Sequence, residues 1–385
     1  MVRRRTRKTA SKRSLPEPSL EHLKRLTDDT GLFQHAKFTI PLRQEGYTTD
    51  DNARALIVAT KYYALYRDPE ALRLLDRYLA FVLHAHNDDP PRPLGAGEVS
   101  TSAEPTADGT VKNFMNFDRT WHKAEPVHDA LGRVLWAFGA LLAQPPSQIP
   151  ASPDSQASRG GYVPIARERI DIAMPLIEKQ YPRGLSYSIL GLAGYLKQFP
   201  DADDVKRCMA VAADLLVSRF EENSTPSWPW FENILTYDNA MLPCALFTAG
   251  ISLGDKRYIE IAKKICDFVL ANTLTGSHFS FVGCQGWFPR GGPKAQFDQQ
   301  PIEAAGTILM LKAAYEATKD KKFLSLQKKA FNWFLGENDL GIPLYDSATK
   351  GCGDGLGAEG ISLNEGAEST LSFLLGLLTM RKGER

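Results

Sequence analysis

Carboxylates grouped with amides and guanidinium groups recur along this chain where apolar helical stretches open, and these groups have the means to do chemistry. Tyr47-Thr48-Thr49-Asp50-Asp51-Asn52-Ala53-Arg54 runs into Leu56, Ile57 and Ala59, and Asn113 to Trp121 carries Asp118 and Arg119. His128 and Asp129 precede Leu131 and Leu135. Thr236-Tyr237-Asp238-Asn239, Phe297-Asp298-Gln299-Gln300-Pro301-Ile302-Glu303 and Asn364-Glu365-Gly366-Ala367-Glu368 repeat the arrangement further on. One such cluster is a helix cap, its side chains accepting orphan N–H groups and its acid favouring the dipole. Repetition at the head of every strongly apolar helix calls for an architecture that gathers the clusters.

Gathered at one mouth, Asp50, Asp51, Asp118, Glu232, Asp238, Asp298, Glu303 and Glu365 would stand beside Trp121, Trp228, Trp230, Tyr237 and Trp287. Aromatic faces pack on the C–H surfaces of a pyranose. The amides of Asn52, Asn239, Gln299 and Gln300 and the carboxylates take hydroxyls. Glycoside cleavage needs one carboxylic acid to protonate the leaving oxygen and one carboxylate to activate water or attack carbon. Asp51 and Asp238 are the first choice for that pair, with Glu303 and Asp118 in reserve. Arg54 and Arg290 suit a substrate carboxylate or phosphate. Trp228, Trp230 and Trp287, in loops beside Pro and Gly, are expected to stack on sugar, whereas Trp136 and Trp333, inside helices, are expected in the core. His128 is the one histidine kept as a site residue. No GxSxG, P-loop, HExxH or glycine-rich dinucleotide turn occurs, and neither metal nor cofactor is expected.

The elements that must position these groups are helical. Apolar spacing predicts a lead-in helix over 20–26 and helices over 51–66, 69–82, 127–142, 165–177, 185–196, 203–220, 238–249, 255–270, 301–317, 320–334 and 371–380. The helices opening at Asp51, Val127, Leu185, Asp238, Pro301 and Glu365 carry few charges after their first turn, whereas those between them carry charge throughout. A helix apolar all round is buried and an amphipathic one lies outside it. The expected fold is therefore all-α, an (α/α)6 toroid of six helical hairpins whose parallel inner helices bring their N-termini to one mouth. An open solenoid of hairpins would instead string the clusters along a ridge, and the uneven hairpin spacing argues against it.

With 43% hydrophobic and 10% aromatic residues in 385, the chain can bury a large core. No apolar run approaches the roughly 18–20 residues of a membrane span, and no apolar stretch follows the basic N-terminus, so a cytoplasmic location is expected. Five scattered cysteines without a CxxC fit a reducing compartment. Arg3, Arg4, Arg5, Arg7, Lys8, Lys12 and Arg13 precede any acid, so residues 1–16 read as a disordered basic arm ahead of one domain over 17–385. Loop insertions are expected near 87–112 and 145–164. Nucleic acid is an improbable partner and a membrane is not expected.

The strings at Tyr47 to Leu56, Asn113 to Trp121, Leu235 to Pro243, Gly286 to Gly292, Phe297 to Ala305, Trp333 to Asp346 and Asn364 to Leu371 resemble a group of prokaryotic glycosidase-like proteins. That group is similar to the six-hairpin (α/α)6 glycosidase superfamily, and its members occur alone or joined to glycosyltransferases. The resemblance spans the chain from about Gly31 onward. It implies a carbohydrate-active toroid, with Asp50, Asp51, Arg54, Asp118, Arg119, Asp238, Asn239, Arg290, Asp298, Gln299, Gln300, Glu303 and Glu365 at matching positions. The chain departs from the group where Glu-Asp precedes Gly-Arg, reading His128-Asp129-Ala130-Leu131-Gly132-Arg133 instead.

The leading expectation is a glycoside hydrolase or phosphorylase acting on a short oligosaccharide. A sugar epimerase or isomerase using His128 or His122 as a base is an alternative. A non-catalytic sugar-binding partner of a glycosyltransferase is another.

Overall fold

The computed structural model describes residues 14–86, 109–122, 128–145 and 161–382. Most of the expected basic arm and the middles of both expected loop insertions lie outside these residues.

Among the described residues the chain forms twelve α-helices with four two-residue ribbons between them. In order they are α1 (Glu21–Leu26), β1 (Ala36–Lys37), β2 (Ile40–Pro41), β3 (Tyr47–Thr48), α2 (Thr49–Tyr66), α3 (Pro69–Ala85), β4 (Phe114–Met115), α4 (His128–Leu142) and α5 (Tyr162–Ala173). Then follow α6 (Pro182–Gln198), α7 (Asp203–Asn223), β5 (Ile234–Leu235), α8 (Met241–Leu253), α9 (Lys256–Thr273), β6 (Phe288–Pro289), α10 (Pro301–Thr318), α11 (Lys322–Asn332), β7 (Leu356–Gly357), β8 (Gly360–Ile361) and α12 (Ala367–Lys382). Helices α2, α4, α6, α8, α10 and α12 pack each on the next, and α12 returns to α2, closing an inner ring. Each of α3, α5, α7, α9 and α11 packs on the inner helix before it, and α1 covers α12. The fold is the (α/α)6 toroid.

Side-chain chemistry sorts the two rings. Helix α10 buries Ile302, Ala304, Ala305, Ile308, Met310, Leu311 and Ala314 round its whole circumference, while α7 buries one stripe of Val205, Met209, Ala212, Leu216 and Phe220. Where α4 meets α6 the backbones touch. A Cβ on Gly132 would stand 2.5 Å from the Gly184 carbonyl oxygen, and one on Gly139 would stand 2.1 Å from that of Gly191. Caps set several helix starts: Thr48 accepts the Asp51 N–H, Asp68 precedes Pro69 and accepts the Glu70 N–H, and Asp255 accepts that of Arg257. No helix among the described residues is long and apolar enough to cross a membrane.

Among the helix starts that differ from expectation, two move site residues. Helix α8 begins at Met241 and not Asp238, because Asn239 Oδ1 accepts the Thr236 N–H and folds 236–239 into a turn with Asp238 in left-handed backbone (φ 48°). Helix α12 begins at Ala367 and not Glu365, because Asn364 is drawn to the Ala36 N–H and the Glu365 carbonyl to His22.

Candidate functional site

The inner helices open at one end of the ring, and their leading turns meet there in a buried polar network. Thr48 caps α2, taking the Asp51 N–H at 3.1 Å and donating its own hydroxyl to Asp51 Oδ2 at 2.8 Å. Asn113, beside the β3–β4 ribbon, accepts the Asp50 N–H at 3.1 Å. One turn along, Arg54 Nη2 lies 2.6 Å from Asp50 Oδ2, 2.9 Å from Glu368 Oε2 of α12 and 3.4 Å from Asp51 Oδ1. Arg133 of α4 pairs with Asp50 Oδ1, lies 3.6 Å from Asp238 Oδ2 and donates to the Tyr187 hydroxyl of α6 at 2.7 Å. Tyr187 in turn donates to Asp238 Oδ2 at 2.6 Å. The Asp238 N–H donates to Glu303 Oε1 of α10, and Asn239 Nδ2 donates to Glu303 Oε2 at 3.2 Å. Every inner helix, or the turn leading into it, supplies a member.

Burial and pairing push these carboxyls apart in acidity. Asp50 is buried, which would raise its pKa, but Arg133 and Arg54 outweigh burial and hold it below the ordinary carboxylate range. Asp51 has the opposite balance. Burial, reinforced by the neighbouring Asp50 and Glu368 charges, outweighs Arg54 and raises it to about 7. Burial and then the Asp238 charge raise Glu303 to about 8 against its two hydrogen bonds, and burial raises Asp238 against Arg133 and Tyr187. Adjacent aspartates thus titrate in widely separated ranges, the separation that acid/base chemistry requires.

Above the network lies a cavity of about 230 Å³ lined by Gln34, His35, Thr48, Asp50, Asp51, Arg54, Asn113, Phe114, Gln300, Asp354 and Glu368. Asp354, raised to about 6 by burial and by Glu368, is part of its wall. Below it the ring axis is filled, leaving a void of about 10 Å³ among Arg54, Arg133, Trp136 and Asp238. Beside the mouth, the β5–β6 register pairs Leu235 with Phe288 and so sets Tyr237 near Trp287, their ring centroids 6.5 Å apart. Arg183 of α6 lies under the Tyr237 ring and reaches Glu232 at 3.1 Å, while the Tyr237 hydroxyl donates to Asp129. Trp287 holds left-handed backbone (φ 55°) that a bulky residue rarely adopts.

Of the residues expected at the site, Asp50, Asp51, Arg54 and Gln300 line the cavity, and Asp238, Asn239 and Glu303 lie buried in the network beneath it. Trp228 and Trp230, expected to stack on sugar, are inside the protein. Their indole N–H groups donate to the carbonyls of Glu232 and Ile234, so each tryptophan satisfies its polar atom by stapling its own loop. Arg54, expected to meet an anion, is enclosed by three carboxylates. Arg290 is tied to the Asn223 carbonyl and Thr225. Asn52 and Gln299 are fully buried scaffolding: Asn52 holds Leu32, and Gln299 holds Phe281, Trp333 and Asp339.

Asp118 is exposed and closes a turn onto Thr120, beside Arg119, which pairs with Asp29. Trp121 packs on Phe81 and His84, and Asp298 bonds Gln285. Glu365 turns toward His22, away from the mouth. His128 heads α4, but its side chain lies outside the described residues; His122 is exposed and bonded to Asn116. Trp136 and Trp333 are in the core as expected.

Sequence reading missed five members. Glu368 was obscured by the two-residue shift in the start of α12, although its spacing one turn past Glu365 signals a second candidate. Arg133 and Tyr187 sit one turn inside helices that look wholly apolar. His35 and Asp354 come from loops far apart in the chain, where no local pattern marks them.

No family model matches the chain, and no curated protein is similar to it at a significant level. Solved structures are similar. A cellobiose 2-epimerase from Bacillus thermoamylovorans superposes with a TM-score of 0.66 at 12% identity, over 93% of this chain and 95% of that one. A D-mannose isomerase gives 0.64 at 10% identity, over 94% and 96%. An inactive α-1,6-mannanase variant from Salegentibacter, with two adjacent aspartates changed to asparagine and α-1,6-mannotriose bound, gives 0.54 at 10% identity, over 94% and 97%. These neighbours share one architecture, the (α/α)6 toroid, and this chain has it along almost its full length.

Proposed function

We propose that the protein is a carbohydrate-active enzyme that hydrolyses a glycosidic bond of a short oligosaccharide in the mouth cavity. The observation that carries this reading is the trio Asp50, Asp51 and Glu368 on one guanidinium, with the Asp51 carboxyl raised to about 7 and that of Asp50 held below the ordinary range. Asp51 is the acid that protonates the leaving oxygen. Glu368, a third exposed and held through one oxygen only, is the carboxylate that attacks the anomeric carbon. Asp50 is fastened by two arginines and holds the assembly in register.

Both reacting carboxyls contact the same Arg54 nitrogen, so those oxygens are at most about 6 Å apart. That spacing favours retention over the roughly 6.5–9.5 Å gap in which an inverting enzyme seats its water. Water is the acceptor in place of phosphate, because a phosphate would face Asp50, Asp354 and Glu368 beside an arginine already neutralised by its partners. Tyr237 and Trp287 supply the aromatic face. The mannanase variant that is inactive with two adjacent aspartates changed to asparagine gives this reading a parallel on the same fold.

An epimerase or isomerase is the second reading, favoured by an imidazole, His35, in the cavity wall and by two of the neighbours. Incubation with an oligosaccharide panel in D2O, followed by NMR, separates the two. New reducing ends, lost in Asp51→Asn and Glu368→Gln, support hydrolysis. Deuterium incorporated beside the anomeric carbon without bond cleavage supports epimerisation. Binding without any conversion favours a sugar-binding partner of a glycosyltransferase.

A further inference from the structure

Asn364 stands where the segment 33–38 meets the start of α12, and its orientation is set twice. Its Oδ1 accepts the Ala36 N–H at 2.9 Å, so its Nδ2 faces the other way, bonding Asp354 Oδ2 at 3.1 Å and His35 Nδ1 at 3.0 Å. The flipped amide would set oxygen against a carboxylate and N–H against N–H. A donor at Nδ1 makes that ring nitrogen the acceptor, and in the neutral imidazole the proton then sits on Nε2. No hydrogen bond to Nε2 is formed among the described residues.

The segment carrying His35 cannot slide. Phe38 N–H donates to the Leu363 carbonyl at 2.9 Å, and Ala367 N–H to that of Gln34 at 3.0 Å. Gly366 permits this approach, because a Cβ there would stand 2.7 Å from the Gln34 oxygen. His35, its ring fixed through Nδ1, thus lines a cavity wall otherwise rich in acceptors: Asp50, Asp354 and Glu368. Sugar hydroxyls that donate to those carboxylates leave their own oxygens in need of a donor.

We infer that His35 is a substrate-contacting residue whose Nε2–H donates to a hydroxyl oxygen of the bound sugar, and that Asn364 is the positioning residue that fixes this tautomer. The inference rests on the proposed sugar-binding reading of the cavity. It makes the site selective for a sugar bearing a hydroxyl at the position facing His35, since an analogue lacking it leaves both the imidazole N–H and a carboxylate unpaired.

Two measurements on the full chain test it. Long-range proton–nitrogen NMR of protein labelled with ¹⁵N-histidine should show His35 protonated on Nε2, and Asn364→Asp should move the proton to Nδ1, where the new carboxylate accepts it. Calorimetry with cellobiose and α-1,6-mannotriose should then show binding weakened about tenfold to hundredfold in His35→Ala and Asn364→Asp, with part restored in His35→Gln, whose amide N–H reaches the same place. An Nδ1-protonated His35 in the wild type would overturn the inference. Equal sugar binding by wild type and His35→Ala would overturn it while leaving the reading of the cavity intact. No binding of either sugar by the wild type would remove the reading of the cavity and the substrate contact with it.

Discussion

Replacing Asp51 with asparagine should make the protein more stable and less active, with the stability gain appearing only as pH rises. In the folded chain burial and two neighbouring carboxylates raise the Asp51 carboxyl from 3.8 to about 7. The folded state therefore binds this proton more tightly than the unfolded state. The associated stability is complete below about pH 4 and is lost progressively as pH rises to about 7, beyond which the loss is constant. A difference of that size corresponds to roughly 4 kcal/mol at 1.36 kcal/mol per pH unit, and the shared charge of the cluster reduces it to about 2–4 kcal/mol. Asparagine preserves the shape: its oxygen can still accept the Thr48 hydroxyl, and Asp51 Oδ1 has no hydrogen bond to lose. Urea denaturation at intervals from pH 4 to 8.5 should thus give wild-type and Asp51→Asn curves that agree at the acid end and separate steadily toward neutrality, the variant being the more stable. If Asp51 is the general acid, turnover should fall by about 10²–10⁴ in the same variant. Parallel stability curves across the whole range would mean that Asp51 is ionised in the folded protein, and the assignment of the acid would fail with them.

Glu303→Gln should flatten the stability profile in the same direction over about pH 4.5–8, the window between the ordinary glutamate value and the raised one, as denaturation at each pH would show. Tyr187→Phe removes the hydroxyl that accepts from Arg133 and donates to Asp238, and should cost about 1–3 kcal/mol in denaturant unfolding because both charged partners stay buried. Gly139→Ala should cost a similar amount or more by forcing α4 from α6, with a lowered midpoint in the same assay. Trp228→Ala should lower the denaturation midpoint by the equivalent of about 3–5 kcal/mol, as expected for a buried tryptophan. Trp287→Ala, at a half-buried site, should lower the midpoint less than Trp228→Ala and raise KM for the sugar identified in the panel. The opposite pattern for the two tryptophans would place the stacking face in the wrong loop.

The ring was legible in the sequence because burial imposes a pattern that local composition must obey. A helix inside the toroid touches protein on every side, so Pro301 to Thr318 is apolar round its circumference, whereas Asp203 to Asn223 needs only a stripe. The polar starts at Asp50-Asp51, Asp238 and Glu303 were legible for a related reason, since a carboxylate at the head of an otherwise apolar helix is conspicuous. What these side chains do there was decided only by the tertiary structure. Asp50 and Asp51 are neighbours with the same side chain, and their acidities diverge because Arg133, from another helix, reaches one and not the other. Trp228 and Trp287 both lie in loops beside Pro or Gly; packing buried the first under α9 and β6 and left the second half-buried at the mouth. Which glutamate of Glu365 and Glu368 faces the cavity depended on where α12 begins, and Asn364 set that start by bonding a loop more than 300 residues earlier in the chain. Helix burial is a property of consecutive residues and can be read from them. Charge pairing, tautomer and cavity wall arise from side chains that meet only after the ring has closed.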